Sequence, residues 1–177
     1  MRKGVLRMDN HHEQLVTTHK TVKYNLANKA MYVIGVLGLL GIGGIFSGAA
    51  FISGVVFLII AIGLYFLKRN YYVEYEYNFT NGDIDVDKIY EMKKRKRVIT
   101  FSVKNLELLA PEGSNHVKDF TNKPDKVLNL FPETSEAKIY VGMLTGGKER
   151  AVIRFVPDKQ MLDYCYKYNP RAVKREI

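Results

Sequence analysis

The chain has 177 residues, with 27 lysines and arginines against 18 aspartates and glutamates, a formal net charge of +9 at pH 7. This length fits one medium domain or a small domain with a membrane anchor; the excess of cations is too small to indicate nucleic acid by itself but suits proximity to anionic lipid. The single cysteine, Cys165, excludes an intramolecular disulfide and fits a reducing compartment.

Residues 1–29 form an N-terminal segment that is expected to be cytoplasmic. Met1 and Met8 are both candidate start sites, and the sequence leaves the choice open. Apolar residues with imperfect helical spacing, among them Leu15 and Val22, predict a short amphipathic helix within Asp9–Asn28. The segment also holds four potential zinc ligands without cysteine partners, which do not predict a metal site: His11, His12, Glu13 and His19.

An uninterrupted stretch of 38 uncharged residues, Ala30–Leu67, follows. As one helix it would extend roughly 57 Å at about 1.5 Å per residue, almost twice the roughly 30 Å of a hydrocarbon core. Glycine and serine in its middle, in GIGGIFSGAA, favour a tight turn and close helix approach. The sequence therefore predicts a transmembrane hairpin at residues 30–67, with helices over about Ala30–Gly44 and Ala49–Leu67.

Basic residues flank both ends of this hairpin. Lys20, Lys23 and Lys29 precede it, and Lys68 and Arg69 follow it. By the positive-inside rule, both ends lie in the cytoplasm. We therefore expect a cell-membrane protein with two spans and both termini cytoplasmic. Because the hairpin has no acidic, basic or histidine side chain, a proton relay or ion path has little support.

From Tyr71 onward, apolar and polar residues alternate as in a half-buried strand, YYVEYEYNFT. Asn81-Gly82 then predicts a two-residue hairpin turn, since both residues tolerate positive φ. The returning strand, DIDVDKIYE, places Ile84 opposite Phe79 and Val86 opposite Tyr77, so that the two apolar faces coincide.

Five further strands and one helix are predicted in the rest of a cytoplasmic domain at residues 71–177. The strands lie within Arg97–Val103, Asn105–Ala110, Lys126–Phe131, Ala137–Leu144 and Arg150–Val156. Residues 111–125 are polar and predict a loop. A terminal helix is predicted between Asp158 and Asn169, with Met161 and Cys165 on its apolar face.

About seven strands followed by one helix resemble the pleckstrin-homology-like (PH-like) fold, an antiparallel β-sandwich or barrel plugged by a helix. The stretch YYVEYEYNFTNGDIDVDKIYEMKKRKRVITF, followed by NLELLAP, is similar to an uncharacterised family of small membrane proteins of Gram-positive bacteria. The resemblance implies a membrane α-helical hairpin joined to an α+β or all-β domain of this kind, and no known activity. Phosphoinositide-binding members of the fold have an open basic loop where this chain has Asn81-Gly82, so inositol-lipid recognition is not implied.

Seven cations are the candidate lipid or partner contacts. A strand of ten residues spans roughly 33 Å at about 3.3 Å per residue, so the second strand returns to a turn near the membrane at about Met92–Lys96. Cations there would meet the anionic leaflet. We call this predicted set the basic collar: Lys68, Arg69, Lys93, Lys94, Arg95, Lys96 and Arg97.

Two other interpretations of the cation run compete with lipid contact. In the first, the cations neutralise an acidic face of the first hairpin or lie in a plain solvated turn; that face comprises Glu74, Glu76, Asp83, Asp85 and Asp87. Nucleic-acid binding is not expected, because no aromatic residue is interleaved between Lys93 and Arg97.

Three other motifs fail as chemical sites. GMLTGGKE has P-loop-like spacing, but Glu149 stands where serine or threonine would bind magnesium, and no helix follows. Asp83, Asp85 and Asp87 lack the glycine and terminal glutamate of a calcium loop. Cys165 has no base beside it in the sequence and is expected in the core.

No nucleophile–base pair, cofactor motif or metal set survives, so the chain is not expected to be an enzyme or to need a cofactor. The predicted function is a non-catalytic, membrane-anchored binding or scaffold module that contacts a protein partner or anionic lipid headgroups at the cytoplasmic face. The alternative is an accessory subunit of a larger membrane complex, assembled through the hairpin. Partner identity and oligomeric state do not follow from the sequence, nor does any ligand of the 111–125 loop.

Overall fold

The structure is a computed structural model that describes residues 10–43, 48–118, 124–145 and 150–174. It contains two compact units. The first comprises the residues up to Thr17, Glu74–Ile89 and the residues from Arg95 onward, and the second comprises Thr18–Val73 and Tyr90–Lys94.

Two long helices make up most of the second unit. Helix α1 spans Val22–Gly43 and α2 spans Gly48–Lys68, followed by a 3-10 turn at Arg69–Tyr71. Helix α1 begins eight residues before the predicted Ala30, where the Thr21 hydroxyl accepts a hydrogen bond from the Tyr24 amide at 3.2 Å. Both helices are long and apolar enough to cross a membrane. Gly44 and Ser47 of the predicted turn lie outside the described residues.

Glycines allow α1 and α2 to approach closely. A Cβ atom added to Gly54 would lie 2.6 Å from the Ile42 amide nitrogen, and one added to Gly41 would lie 2.8 Å from the Gly54 Cα. No real side chain fits such distances to backbone atoms, so the helix contact depends on these two glycines. Gly41 belongs to the stretch that predicted close approach, whereas Gly43 and Gly48 face open space.

The first sheet has strand order β1-β2-β3-β4. Its strands are β1 at His11–Val16, β2 at Val73–Thr80, β3 at Asp83–Tyr90 and β4 at Lys94–Ser102. Strand β1 is antiparallel to β2, from His11 opposite Thr80 to Val16 opposite Tyr75. The turn between β2 and β3 is confirmed, with φ of 52° at Asn81 and 101° at Gly82.

Strand β1 corrects the prediction for the N-terminal segment. Residues 11–16 form a strand rather than part of a helix, which brings the described strands to eight instead of about seven. The inward positions of β1 are His12, Gln14 and Val16, so two of the three are polar. An alternating pattern of polar residues carries no hydrophobic signal, and the helix prediction was wrong for this reason.

The second sheet has strand order β5-β7-β8-β6. The strands are β5 at Leu106–Pro111, β6 at Lys126–Asn129, β7 at Tyr140–Leu144 and β8 at Ala151–Phe155. Strand β6 runs parallel to β8, so the expectation of a fully antiparallel domain is wrong for this pair. The long connection between β6 and β7, residues 130–139, allows the parallel arrangement.

Two helices complete the described chain. A single turn, α3 at Asn115–Lys118, interrupts the predicted 111–125 loop, of which residues 119–123 lie outside the described part. Helix α4 spans Lys159–Tyr168 as predicted, and the Asp158 side chain caps it by accepting from the Met161 amide at 2.7 Å. The fold is α+β, with two four-stranded sheets and helices.

Tyr77 lies at the centre of the core of the first unit. Its ring is fully buried, with the Phe155 ring edge-on at 5.6 Å. Its hydroxyl donates to the Leu130 carbonyl at 2.6 Å and accepts from the Val156 amide at 3.3 Å. Burial raises the pKa of Tyr77 far above its ordinary value, so the phenol stays neutral and both hydrogen bonds persist.

Candidate lipid and partner interface

Lys68, at the end of α2, lies in a nearly closed pocket of polar and aromatic groups. Its ammonium donates to the Asn28 side-chain oxygen at 2.9 Å and lies 3.6 Å from the Glu91 carboxylate. The Tyr24 hydroxyl donates to the same carboxylate at 3.1 Å. The ammonium also lies 5.8 Å and 5.5 Å from the ring centres of Tyr24 and Tyr65, within the range of cation–π attraction.

The turn between β3 and β4 presents Glu91 to this pocket. Glu91 and Met92 both adopt positive φ, 49° and 57°, a region that such side chains rarely occupy. The Glu91 amide donates to the Tyr72 carbonyl at 2.9 Å, and the Tyr72 hydroxyl donates to the Met92 sulfur at 3.2 Å. The turn is therefore held on both sides by groups of the same unit.

This turn is shorter than predicted. It occupies residues 91–93, and strand β4 begins at Lys94, whereas the prediction placed Met92–Lys96 in the turn. The reason is that Arg95 and Arg97 have carboxylate partners across the sheet, which extend the strand pairing into the basic run.

Arg95 and Arg97 neutralise acidic residues of the first sheet. The Arg95 guanidinium lies 2.5 Å from the Glu76 carboxylate and 3.9 Å from that of Asp87. Arg97 donates to the buried Asp87 and lies 2.8 Å from Asp85. The hydrogen bond that Arg97 donates to Asp87 is the main reason that the pKa of Arg97 is raised. Arg95 and Arg97 therefore neutralise the acidic face, which is one of the interpretations of the cation run given above.

The other four members of the predicted collar have no acidic partner among the residues that the structure describes. None of the described carboxylates lies within ion-pair distance of them, and we call them the unpaired cations: Arg69, Lys93, Lys94 and Lys96. The three lysines are exposed and Arg69 is partly so. Arg69, Lys93 and Lys94 belong to the second unit, together with the two long helices.

The structure describes most residues of the remaining candidate motifs. No cluster of three or more potential metal ligands occurs among the described residues. Asp85 and Asp87 pair with Arg97, and His12 pairs with Asp158. Cys165 is fully buried, and burial raises its pKa to about 12. Residues 146–149, which carry the P-loop-like spacing, lie outside the described part.

A contact between β1 and the start of α4 was missed by sequence reasoning. The His12 Nε2 atom lies 2.9 Å from an Asp158 carboxylate oxygen. Gln14 donates to the Val156 carbonyl and accepts from the Asp158 amide, both at 2.8 Å. Nothing local in the sequence marks these partners, because more than 140 positions separate them.

The chain was compared with protein families, curated proteins and solved structures. Residues 8–175 match the family described as "Bacterial PH-like domain (DUF6106)". No curated protein and no solved structure matches the chain.

Proposed function

Since the chain belongs to the bacterial PH-like domain family DUF6106, we propose that it is a non-catalytic binding module anchored in the cell membrane by α1 and α2. A PH-like domain suggests a binding or scaffold role and is generally non-catalytic. The anchor, the contact with anionic lipid and the location of the β-domain in the cytoplasm are the specific content of the proposal.

The main support for the proposal is the position of the two long helices in the chain. They are inserted between β1 and β2, which pair side by side in one sheet. The intervening residues therefore leave and rejoin the sheet at neighbouring strands. If this segment crosses a bilayer, it crosses an even number of times, which favours a two-span hairpin with both termini on the same side.

The surface of the helices supports the same proposal. Large apolar side chains along both helices are exposed in the described chain, for example Leu40, Ile52 and Phe66 at 69%, 66% and 59%. The core helix of a soluble protein buries such residues, and exposing them to water costs roughly 25 cal/mol per Å² of apolar surface. A hydrocarbon environment removes that cost.

The unpaired cations supply the lipid contact. None of the described carboxylates neutralises Arg69, Lys93, Lys94 or Lys96. A cation near an anionic leaflet gains up to about 1 kcal/mol. Lys68, Arg95 and Arg97 have carboxylate partners and contribute less to the contact.

Two measurements test the proposal on the full chain. A reporter at the carboxyl terminus should be accessible only from the cytoplasm, and alkaline carbonate should leave the chain in the membrane pellet. In native mass spectrometry from mild detergent, the protein should retain bound phosphatidylglycerol in preference to phosphatidylcholine. Replacing the four unpaired cations by serine should reduce this preference at least about tenfold.

A matched variant separates specific contact from net charge. Lys104, Lys118, Lys159 and Arg171 are exposed and lie elsewhere in the chain, and replacing them by serine removes the same charge. Their variant should retain phosphatidylglycerol like the parent protein. Equal losses in both variants would contradict a defined lipid contact, and an extracellular reporter would contradict the orientation. A stoichiometric membrane partner that co-purifies through the helices would favour the alternative, an accessory subunit.

A further inference from the structure

The two sheets end in four strands, β1 and β4 in the first sheet and β5 and β6 in the second, and β4 and β6 line the same groove. Strand β4 is the last strand of the first sheet, and β6 is the last strand of the second. In the described chain, no backbone hydrogen bond joins β4 to any segment other than its own sheet neighbour. The outer amides and carbonyls of Lys94–Ser102 therefore form a nine-residue edge that could pair with another strand.

An open groove runs along this edge. It has a volume of about 420 Å³ and is lined by residues 98–102 of β4 on one side and by Lys126 and Leu128 of β6 on the other. Val98 at the groove is 38% exposed, and Phe101 contributes an apolar wall. The groove thus combines free backbone groups with space for apolar side chains.

The charges of β4 indicate what would bind. Lys94 and Lys96 alternate with Arg95 and Arg97, and the two lysines have no carboxylate partner in the described structure. Lys126 adds a further cation at the groove, and Asp83 is the one acidic residue among the described residues of its lining. A strand laid beside β4 would place its side chains opposite these residues, so acidic residues there would be complementary.

We infer that β4 binds an extended acidic segment of a partner protein, which joins the first sheet as a fifth strand. Main-chain hydrogen bonds to Lys94–Ser102 provide the pairing, acidic side chains contact Lys94 and Lys96, and apolar side chains enter the groove beside Val98. The inference names a partner class for the proposed binding module. It does not depend on α1 and α2 spanning a membrane.

The test uses the full chain in nanodiscs of phosphatidylcholine, which lack anionic lipid. The probe is a fluorescein-labelled decapeptide that alternates glutamate with valine and threonine. Its first control carries lysine in place of glutamate. Two further control peptides keep the glutamates but carry N-methyl groups on alternate backbone amides. In one peptide the methylated amides lie on one edge of the strand, and in the other they lie on the opposite edge. Each peptide therefore loses the hydrogen bonds of one edge without a change of charge.

The expected result is binding of the acidic peptide and at least about tenfold weaker binding of the lysine peptide. One of the two methylated peptides should also lose at least about tenfold, because only one edge of the added strand faces β4. The variant Lys94→Glu/Lys96→Glu should weaken binding of the acidic peptide and strengthen that of the lysine peptide. The charge-matched variant Lys159→Glu/Arg171→Glu should bind like the parent protein.

Several outcomes would overturn the inference. Equal binding of both methylated peptides would mean charge attraction without strand pairing. Absence of peptide binding in a chain that still retains phosphatidylglycerol would reject the strand site and leave the proposed function intact. If the variant Val98→Cys forms disulfide-linked dimers in the nanodiscs, the β4 edges of two copies lie side by side. The edge would then be assigned to a second copy of the chain.

Discussion

Lys68 and Glu91 form an ion pair, with 3.6 Å between the Lys68 Nζ atom and the Glu91 carboxylate, and the two side chains are only 9% and 12% exposed. Asn28 and Tyr24 complete the hydrogen bonding of the ammonium and the carboxylate. The last residue of α2 is thereby tied to a turn in which two non-glycine residues have positive φ.

Removal of one partner should destabilise the protein strongly. The variant Glu91→Ala leaves the Lys68 ammonium without its counter-charge in a nearly buried position, a change that typically costs about 3–5 kcal/mol. At roughly 2–4 °C per kcal/mol for a chain of this size, the melting temperature should fall by about 6–20 °C. Circular dichroism in mild detergent measures the shift.

The double variant Lys68→Met/Glu91→Gln provides the control. It removes both charges, and the glutamine oxygen can still accept from the Tyr24 hydroxyl, so much of the lost stability should return. A double variant as unstable as Glu91→Ala would show that the turn conformation, rather than the charge pair, requires Glu91.

The sequence predicted those features that depend on neighbouring residues. The hairpin of β2 and β3 follows from alternation on both sides of Asn81-Gly82, and the cap of α4 follows from Asp158. Local pattern could not place β1, because the polar residues His12 and Gln14 face inward, with partners supplied by the chain near Asp158.

In the candidate site, too, local sequence pattern did not reveal contacts between residues that are far apart in the chain. Chemistry and spacing predicted the seven cations of the collar as one set, but among the described residues three of them pair with carboxylates and four do not. Sequence reasoning placed Lys68 at a lipid surface, whereas the ammonium contacts Glu91. The positive φ of Glu91, which directs this contact, is not a preference of glutamate and so leaves no signal in the sequence.

The contact between α1 and α2 should tolerate no side chain at Gly54. The variant Gly54→Ala would place a Cβ 2.6 Å from the Ile42 amide nitrogen and 2.8 Å from the Gly38 carbonyl, so the helices have to separate. The melting temperature should fall by several degrees, since overpacking typically costs about 1–3 kcal/mol. The matched variant is Gly63→Ala, where nothing lies within 4 Å, and it should be neutral or slightly stabilising. Equal effects at both positions would contradict the close helix contact.

The contact between His12 and Asp158 should stabilise the start of α4. The variant Asp158→Ala removes the helix cap and the His12 contact, with an expected cost of about 1–3 kcal/mol in free energy of unfolding. His12→Ala should cost less, and a double-mutant cycle should give a coupling of about 1 kcal/mol. His11→Ala is the control, since the His11 side chain is 54% exposed and such changes stay within about 0.5 kcal/mol. Strictly additive effects of His12→Ala and Asp158→Ala would contradict the contact.

The Cys165 thiol should be unreactive in the folded protein. It is fully buried, and burial raises its pKa to about 12. At pH 8 only about one thiol in ten thousand is therefore a thiolate, the form that reacts with maleimides. N-ethylmaleimide should label the chain in denaturant and not in mild detergent, as mass spectrometry would show. Rapid labelling of the native protein would contradict the burial of α4.

The same thiol should make stability depend on alkaline pH. The pKa of Cys165 is 9.0 in its ordinary state and about 12 when folded, so the folded protein retains a proton that the unfolded chain loses. This contribution is complete below pH 9 and disappears as the pH rises to about 12. Between pH 8 and pH 11, the melting temperature should therefore fall further in the parent protein than in Cys165→Ala. Tyr77 and the other alkaline groups titrate in both proteins, so the difference isolates the thiol, and parallel curves would show that Cys165 does not titrate differently on unfolding.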